Sequence, residues 1–246
     1  MTTVLRSLDS MHNTGFGVDD VQDWPENALD LLVSSGILRK SGYADSIVCH
    51  ECEECCSVEV HFDDGDDGLP TRAFYDCPLR DDIRRIRIPI ERLETWALSS
   101  TALASALAES LGTGDDPAEL ATGRLWSLGK VVAGCKRFDM FLARGARWPD
   151  ASALFRSASG LKQRAFPVVL VPGKAGSGKL FGTGAREMSL ESLLSIGSDG
   201  LSFDLEGLKE TLAAGTGVEK SADVFHYSPG FRCVSLRGRC CISAHR

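Results

Sequence analysis

Cys49-His50-Glu51-Cys52 sets two thiols three residues apart, and Cys55-Cys56 follows at once. A further cysteine returns at Cys77-Pro78, beyond a stretch that alternates in the strand manner. Two cysteines in a tight turn, with another ligand coming back on a strand, build a tetrahedral site for one ion. Thiolates suit Zn2+, which is borderline soft and takes four ligands without a geometric preference of its own. The spacing predicts Cys49, Cys52 and Cys77 as ligands with Cys56 as the fourth; Cys55 and His61 are the alternatives. His61 ranks behind the thiols because it shares a strand face with Glu59, expected in solvent. An iron–sulfur cluster on Cys49, Cys52, Cys55 and Cys77 is the rival chemistry, although the fourth cysteine comes far later than in a ferredoxin run. The third reading is buried thiols without metal. Such a zinc would be structural, because the candidate ligands suffice to close the site.

A second stretch bears on phosphate chemistry. Gly173-Lys174-Ala175-Gly176-Ser177-Gly178-Lys179 fits G-x-x-x-x-G-K after the apolar run Pro167–Val171. A phosphate loop needs glycines to expose backbone N–H groups, a lysine for the outer phosphates, and a Ser or Thr on magnesium before a helix. Gly173, Gly178 and Lys179 are present, but Leu180 stands where the hydroxyl belongs. Gly182 and Gly184 then occupy the start of the expected helix. Nucleotide binding is therefore only the alternative; the main reading is a Gly-rich connection after a core strand.

Other reaction chemistries find little support. Five histidines are present, none beside a G-x-S-x-G elbow. Cys135 lies beside Lys136 and Arg137 and reads as an incidental surface thiol. The acidic run 63–68 lacks the twelve-residue calcium loop and reads as a solvated hairpin tip.

The elements that would position these residues are mixed. Asp23 to Gly36 reads as a short helix, with Pro25 in its first turn and Gly36 as its stop. Ser57–Phe62 and Arg72–Cys77 form a hairpin, with a third strand at Arg85–Ile88. Pro89 is expected to open a helix carrying Ile90, Leu93, Trp96 and Ala97. Thr101–Gly112 is an amphipathic helix, and 123–132 with 137–145 form a second hairpin. A helix begins near Pro149, 166–172 is a buried strand, and helices follow from Ser189 and Asp204. Residues 1–20 read as loosely ordered, and the C-terminal stretch as a loop and then a strand.

The fold class is α+β. The organisation expected is an N-terminal helical segment over 1–44, a zinc-ribbon-like hairpin plus helix over 45–98, a mixed domain over 99–215, and a C-terminal strand segment over 216–246. The chain has 246 residues, a net charge of −7 and nine cysteines. That acidity argues against coating nucleic acid by charge alone. It leaves room for a local basic face through Arg84, Arg85, Arg87, Arg237 and Arg239. No apolar run approaches the roughly 20 residues of a membrane helix, no secretory leader is visible, and a cytoplasmic location is expected. Clustered C-x-x-C cysteines then favour a metal over disulfides.

VCHECEECCSVEV, FYDCP, IPIERLETW and GRLWSLGK with FDMFLARG together resemble a group of uncharacterised bacterial proteins. These carry a zinc-ribbon-like insert after a short helical start, and a strand like FRCVSLRGR leading into a winged-helix unit. The resemblance implies a bacterial regulatory or mobile-element protein and carries no assigned chemistry. Here CCISAHR stands where the winged helix is expected, so a longer chain or a partner is expected to complete that end. The reading is a zinc-stapled regulatory or interaction protein with a DNA or protein partner and no indicated small-molecule substrate. The alternatives are an enzyme, either a nucleotide hydrolase through 173–180 or a nuclease, and a structural subunit of a complex.

Overall fold

The computed structural model describes residues 2–10, 15–64, 70–80, 85–158, 161, 164–176, 179–181, 184–197, 200–214, 232–236 and 239–243. The fold is mixed α+β, as the sequence pattern requires. In chain order it runs α1 (Thr2–Leu8), β1 (Phe16–Gly17), α2 (Val18–Val21), α3 (Ala28–Ser34) and β2 (Leu38–Tyr43). The strands β3 (Ser46–Val48), β4 (Ser57–Glu59), β5 (His61–Asp64), β6 (Pro70–Tyr75), β7 (Ile86–Ile88) and β8 (Glu94–Leu98) follow. Then come α4 (Ser100–Leu111), β9 (Ala118–Ala121), β10 (Leu125–Ala133), β11 (Lys136–Ala143) and α5 (Ala151–Ser157). The chain continues through β12 (Pro167–Val171), β13 (Arg186–Ser189), β14 (Leu194–Gly197), β15 (Gly200–Phe203), α6 (Leu205–Ala214), β16 (Arg232–Leu236) and β17 (Arg239–Ser243). Among the described residues, no helix is long and apolar enough to cross a membrane.

The largest sheet has the order β13-β12-β11-β10-β9. β9, β10 and β11 are antiparallel neighbours, whereas β11, β12 and β13 run parallel. Its two faces are both covered, which is why β12 is apolar throughout. Met140, Leu142, Val168 and Leu170 join the core under α1, α4 and α6. Phe141, Val169 and Val171 point the other way, onto Ala151 and Phe155 of α5. Strand period two produces this division. α4 buries Leu103, Ala104, Leu107, Ala108 and Leu111, one helical stripe. Ser99 caps its start by accepting from the Ala102 N–H at 3.2 Å.

β10 contains a bulge between Ser127 and Gly129. Trp126 before it and Leu128 within it face the larger core, and Val131 and Ala133 face the same core after it. The extra residue thus rephases the alternation without turning apolar side chains to water. Gly129 makes this feasible, with φ +98° and a position where a Cβ would lie 2.7 Å from Thr113 Cβ. Gly129→Ala should therefore destabilise the fold by about 2 kcal/mol through strain and overlap. Urea unfolding measures this; an unchanged midpoint would refute the close-approach argument.

Several expected elements differ. Residues 2–8 are helical, and Val4, Leu5 and Leu8 are buried in the main core. The helix expected after Pro89 is a single 3-10 turn, Ile90–Leu93, leading into β8. Trp96 pairs across to Phe16 and Lys40 as the middle of the β1-β8-β2 sheet, so long-range pairing overrides its helix-like spacing. The helix expected from Ser189 is likewise one 3-10 turn, Leu190–Ser192, before the β14–β15 hairpin. Ser189 does cap that turn, accepting from Glu191 N–H at 3.1 Å. The single C-terminal strand is a pair, β16 with β17. The side chains of that pair lie outside the described residues, and so does what covers them.

Core residues from 1–44 share one cluster with Trp96 and one face of the large sheet, the other face of that sheet forms a second with α5, and residues between Cys49 and Leu93 form a third. A polar clasp ties α1 to the large sheet. The Arg144 guanidinium donates to the Leu8 carbonyl at 2.9 Å, satisfying a helix-end acceptor. Asp9 accepts from Gly145 N–H at 2.6 Å, and the Trp148 indole donates to the Asp9 carbonyl at 2.8 Å. Burial pushes the Asp9 carboxyl above its ordinary range, against the pull of the Gly145 N–H and Arg144.

Candidate metal centre

β3 and β4 form an antiparallel ladder, Ser46↔Glu59 to Val48↔Ser57. It extends one step further, with Cys49 N–H donating to the Cys56 carbonyl at 2.8 Å. The ladder therefore brings Cys49 and Cys56 to one end, and the six residues between them close a loop. Inside it, Cys55 N–H donates to the Cys52 carbonyl at 3.4 Å, and Cys55 takes a left-handed φ of +47°. That turn folds Cys52 back toward Cys56 and throws Cys55 outward, where it is exposed.

The fourth group arrives on the neighbouring sheet. β5, β6 and β7 are antiparallel, with His61↔Phe74 and Tyr75↔Ile86 in register. Val58, Val60, Ala73, Tyr75 and Ile88 form their buried face. Cys77 follows β6 and is buried against the same cluster. Arg80 then reaches back, donating to the Glu51 carbonyl inside the knuckle at 3.0 Å. Sequence reading missed this brace; an Arg shortly after Cys77-Pro78 was its only trace.

The sulfurs of Cys49, Cys52, Cys56 and Cys77 lie within 4.8 Å of one another. The Cys52–Cys56 separation is 3.4 Å and the Cys56–Cys77 separation 3.9 Å. Both exceed the roughly 2.05 Å of a disulfide. They bracket the edge of about 3.8 Å that a tetrahedron gives when metal–sulfur bonds are about 2.3 Å. The four-cysteine group could thus hold one metal ion.

Titration of the thiols is consistent with a site that wants a cation. The Cys56 backbone N–H and thiol hold Cys52 down, to about 7. The shared proton with Cys52 and burial push Cys56 up to about 12. Burial pushes Cys77 up as well. One thiolate forms readily and its neighbours then resist; a divalent ion would pull the resisting thiols down as well.

The remaining sequence candidates fall elsewhere. His61 is exposed on the face of β5 opposite the buried cluster. Gly173 is half-buried, Gly178 and the Lys179 side chain lie outside the described residues, and Lys179–Phe181 is a single 3-10 turn. The helix of a phosphate loop is thus absent among the described residues. The Gly176 N–H, which such a loop would turn to phosphate, donates to Glu187 at 2.6 Å. Arg85 and Arg87 are exposed beside the ribbon; Arg84, Arg237 and the Arg239 side chain lie outside the described residues.

No family model matches the chain, and neither a curated protein nor a solved structure matches it. Fold and site together define an α+β protein with a four-cysteine group able to hold one metal ion.

Proposed function

We propose that Cys49, Cys52, Cys56 and Cys77 hold one Zn2+ as a closed structural site, in a regulatory or interaction protein rather than an enzyme. The convergence of four sulfurs within 4.8 Å carries this reading. Four thiolates complete a tetrahedral shell and leave no position for substrate or activated water. A four-iron cluster spreads its thiolates over four separate irons, and Cys55, the third cysteine of that pattern, is exposed outside the group. Metal content and an optical spectrum test the reading on protein purified without added metal. About one equivalent of zinc with no visible absorbance is expected. Iron with sulfide and a brown colour would replace zinc by a cluster, and metal-free folded protein would overturn the staple.

The chemistry of the adjoining sheet favours a nucleic-acid partner. Arg72, Phe74, Arg85 and Arg87 are on the outer face of β6 and β7 and its edge, opposite the buried Ala73, Tyr75 and Ile88. The Arg85 guanidinium stands 5.6 Å above the Phe74 ring. Cations interleaved with an aromatic suit a phosphate backbone and its bases. Fluorescence anisotropy with a short DNA at low salt should show binding that weakens as salt rises. The double variant Arg85→Ala/Arg87→Ala should reduce the salt slope by about 2. An unchanged slope would move the contact off this face.

A further inference from the structure

The carboxyl ends of the three parallel strands open onto a pocket far from the cysteines in sequence. Arg147 and Trp148 follow the end of β11, and Gly173 and Lys174 follow the end of β12. The Ser189 hydroxyl, at the end of β13, donates to the Gly173 carbonyl at 2.7 Å and holds that loop down. Arg6 and Asp9 of the N-terminal segment close the other side. It is a wide, solvent-open cleft of about 640 Å3. Carboxyl ends of parallel strands are where open α/β sheets bind ligands, because loops from adjacent strands diverge there and leave a crevice.

The lining is cationic on a chain whose net charge is −7. Among the described lining residues, Arg6, Arg147 and Lys174 are accompanied by one acid, Asp9. That carboxylate is already engaged by Gly145 N–H and faces Arg144 and Arg124. Arg6 is partly compensated by Glu191 at 3.3 Å. Arg147 spends one donor on the Lys174 carbonyl at 2.8 Å, which fixes its guanidinium beside the loop. The Lys174 ammonium has no ion-pair or hydrogen-bond partner among the described residues. Fixed and free cations on three converging segments are the arrangement that recognises a small multiply charged anion.

We propose that this pocket binds a small phosphate-bearing anion through Arg6, Arg147 and Lys174. The site does not use a phosphate loop: the lysine is Lys174, on the rim before the 3-10 turn, and the backbone of Gly176 is committed to Glu187. It is independent of the metal reading, and either can fail alone.

Isothermal titration of the full chain with inorganic phosphate and with adenosine monophosphate, against sodium chloride at matched ionic strength, tests it. Saturable one-to-one binding of at least one probe is expected. Lys174→Ala should weaken it about tenfold, the loss expected for one charge-assisted contact. Lys209→Ala, an exposed cation on α6 paired with Glu206, should leave it unchanged. Trp148 is half-buried while Trp24, Trp96 and Trp126 are buried, so a fluorescence change on binding should disappear in Trp148→Phe. No saturable binding of either probe, or equal losses in Lys174→Ala and Lys209→Ala, would overturn the proposal.

Discussion

Cys77→Ser should abolish metal binding and unfold the β3–β7 unit while the five-stranded sheet stays folded. The buried cluster of that unit comprises Cys49, Val58, Val60, Ala73, Tyr75, Cys77, Ile88 and Leu93. Two of its eight members are proposed ligands, so the apolar remainder is thin for two separate ladders. The knuckle sits on the β3–β4 ladder and Cys77 on the β5–β6–β7 sheet. The ion would join them beside the Arg80–Glu51 hydrogen bond and their shared apolar cluster. Structural zinc contributes roughly 10 kcal/mol or more of apparent folding free energy in small metal domains. Loss of one thiolate leaves three ligands and removes most of that. Zinc content should fall from about one equivalent toward zero, and limited proteolysis should cut between Cys49 and Cys77. Cys55→Ser is the control, because Cys55 is exposed outside the group. A Cys77→Ser protein that keeps its metal and resists protease would remove Cys77 from the ligand set. If Cys55→Ser loses the metal instead, the knuckle closes differently from the geometry described.

The four-cysteine group was legible because C-x-x-C spacing is local chemistry, but the single strand expected over Ser57–Phe62 divides at Val60 into β4, which pairs with β3, and β5, which pairs with β6. The sequence placed Cys56 ahead of Cys55, and the backbone brings the same sulfur into the group through the ladder step from Cys49 to Cys56 and the left-handed turn at Cys55. Buried strands and the long amphipathic helix α4 were legible for the same reason, since periodicity follows burial on one face. Trp96 and Leu193 were misread as helical because a 3-10 turn followed by a strand can mimic a 3.6 spacing over six or so residues. Partners such as Phe16, distant in sequence, select the strand. The helix α1 was invisible for a similar reason: Val4, Leu5 and Leu8 form a stripe too short to register, held by Arg144 and Trp148 from across the chain. Nothing in the Gly173–Lys179 motif revealed that a nearby carboxylate, Glu187, would take its backbone N–H.

Arg124→Ala should lower stability by about 3 kcal/mol, a fall in Tm of roughly 10 °C for a chain of this size. Arg124 is the one buried charged side chain among the described residues, at 8% exposure. Its Nε donates to the Arg144 carbonyl at 3.0 Å and Nη2 to the Gly145 carbonyl at 3.1 Å. Two further bonds, 2.9 and 3.1 Å, form a fork on the Asp150 carboxylate. The guanidinium also lies 4.1 Å from the Trp148 ring. Truncation strips donors from two carbonyls and withdraws support from the indole. Arg124→Lys keeps the charge but not the planar fork, so it should recover only part of the loss. The pH dependence gives an independent check. Arg124 holds the Asp150 carboxyl below its ordinary range. A depressed folded value means the pair stabilises fully above the ordinary carboxylate pKa and loses that contribution as pH falls through the folded value. Asp150→Asn should therefore be less stable than the parent near neutrality, with the gap closing in strong acid. In the Arg124→Ala background the same substitution should change little at any pH, because the partner is already gone. Equal effects of Asp150→Asn in both backgrounds would mean that the fork contributes no coupling, and that Arg124 acts through its backbone-carbonyl contacts alone.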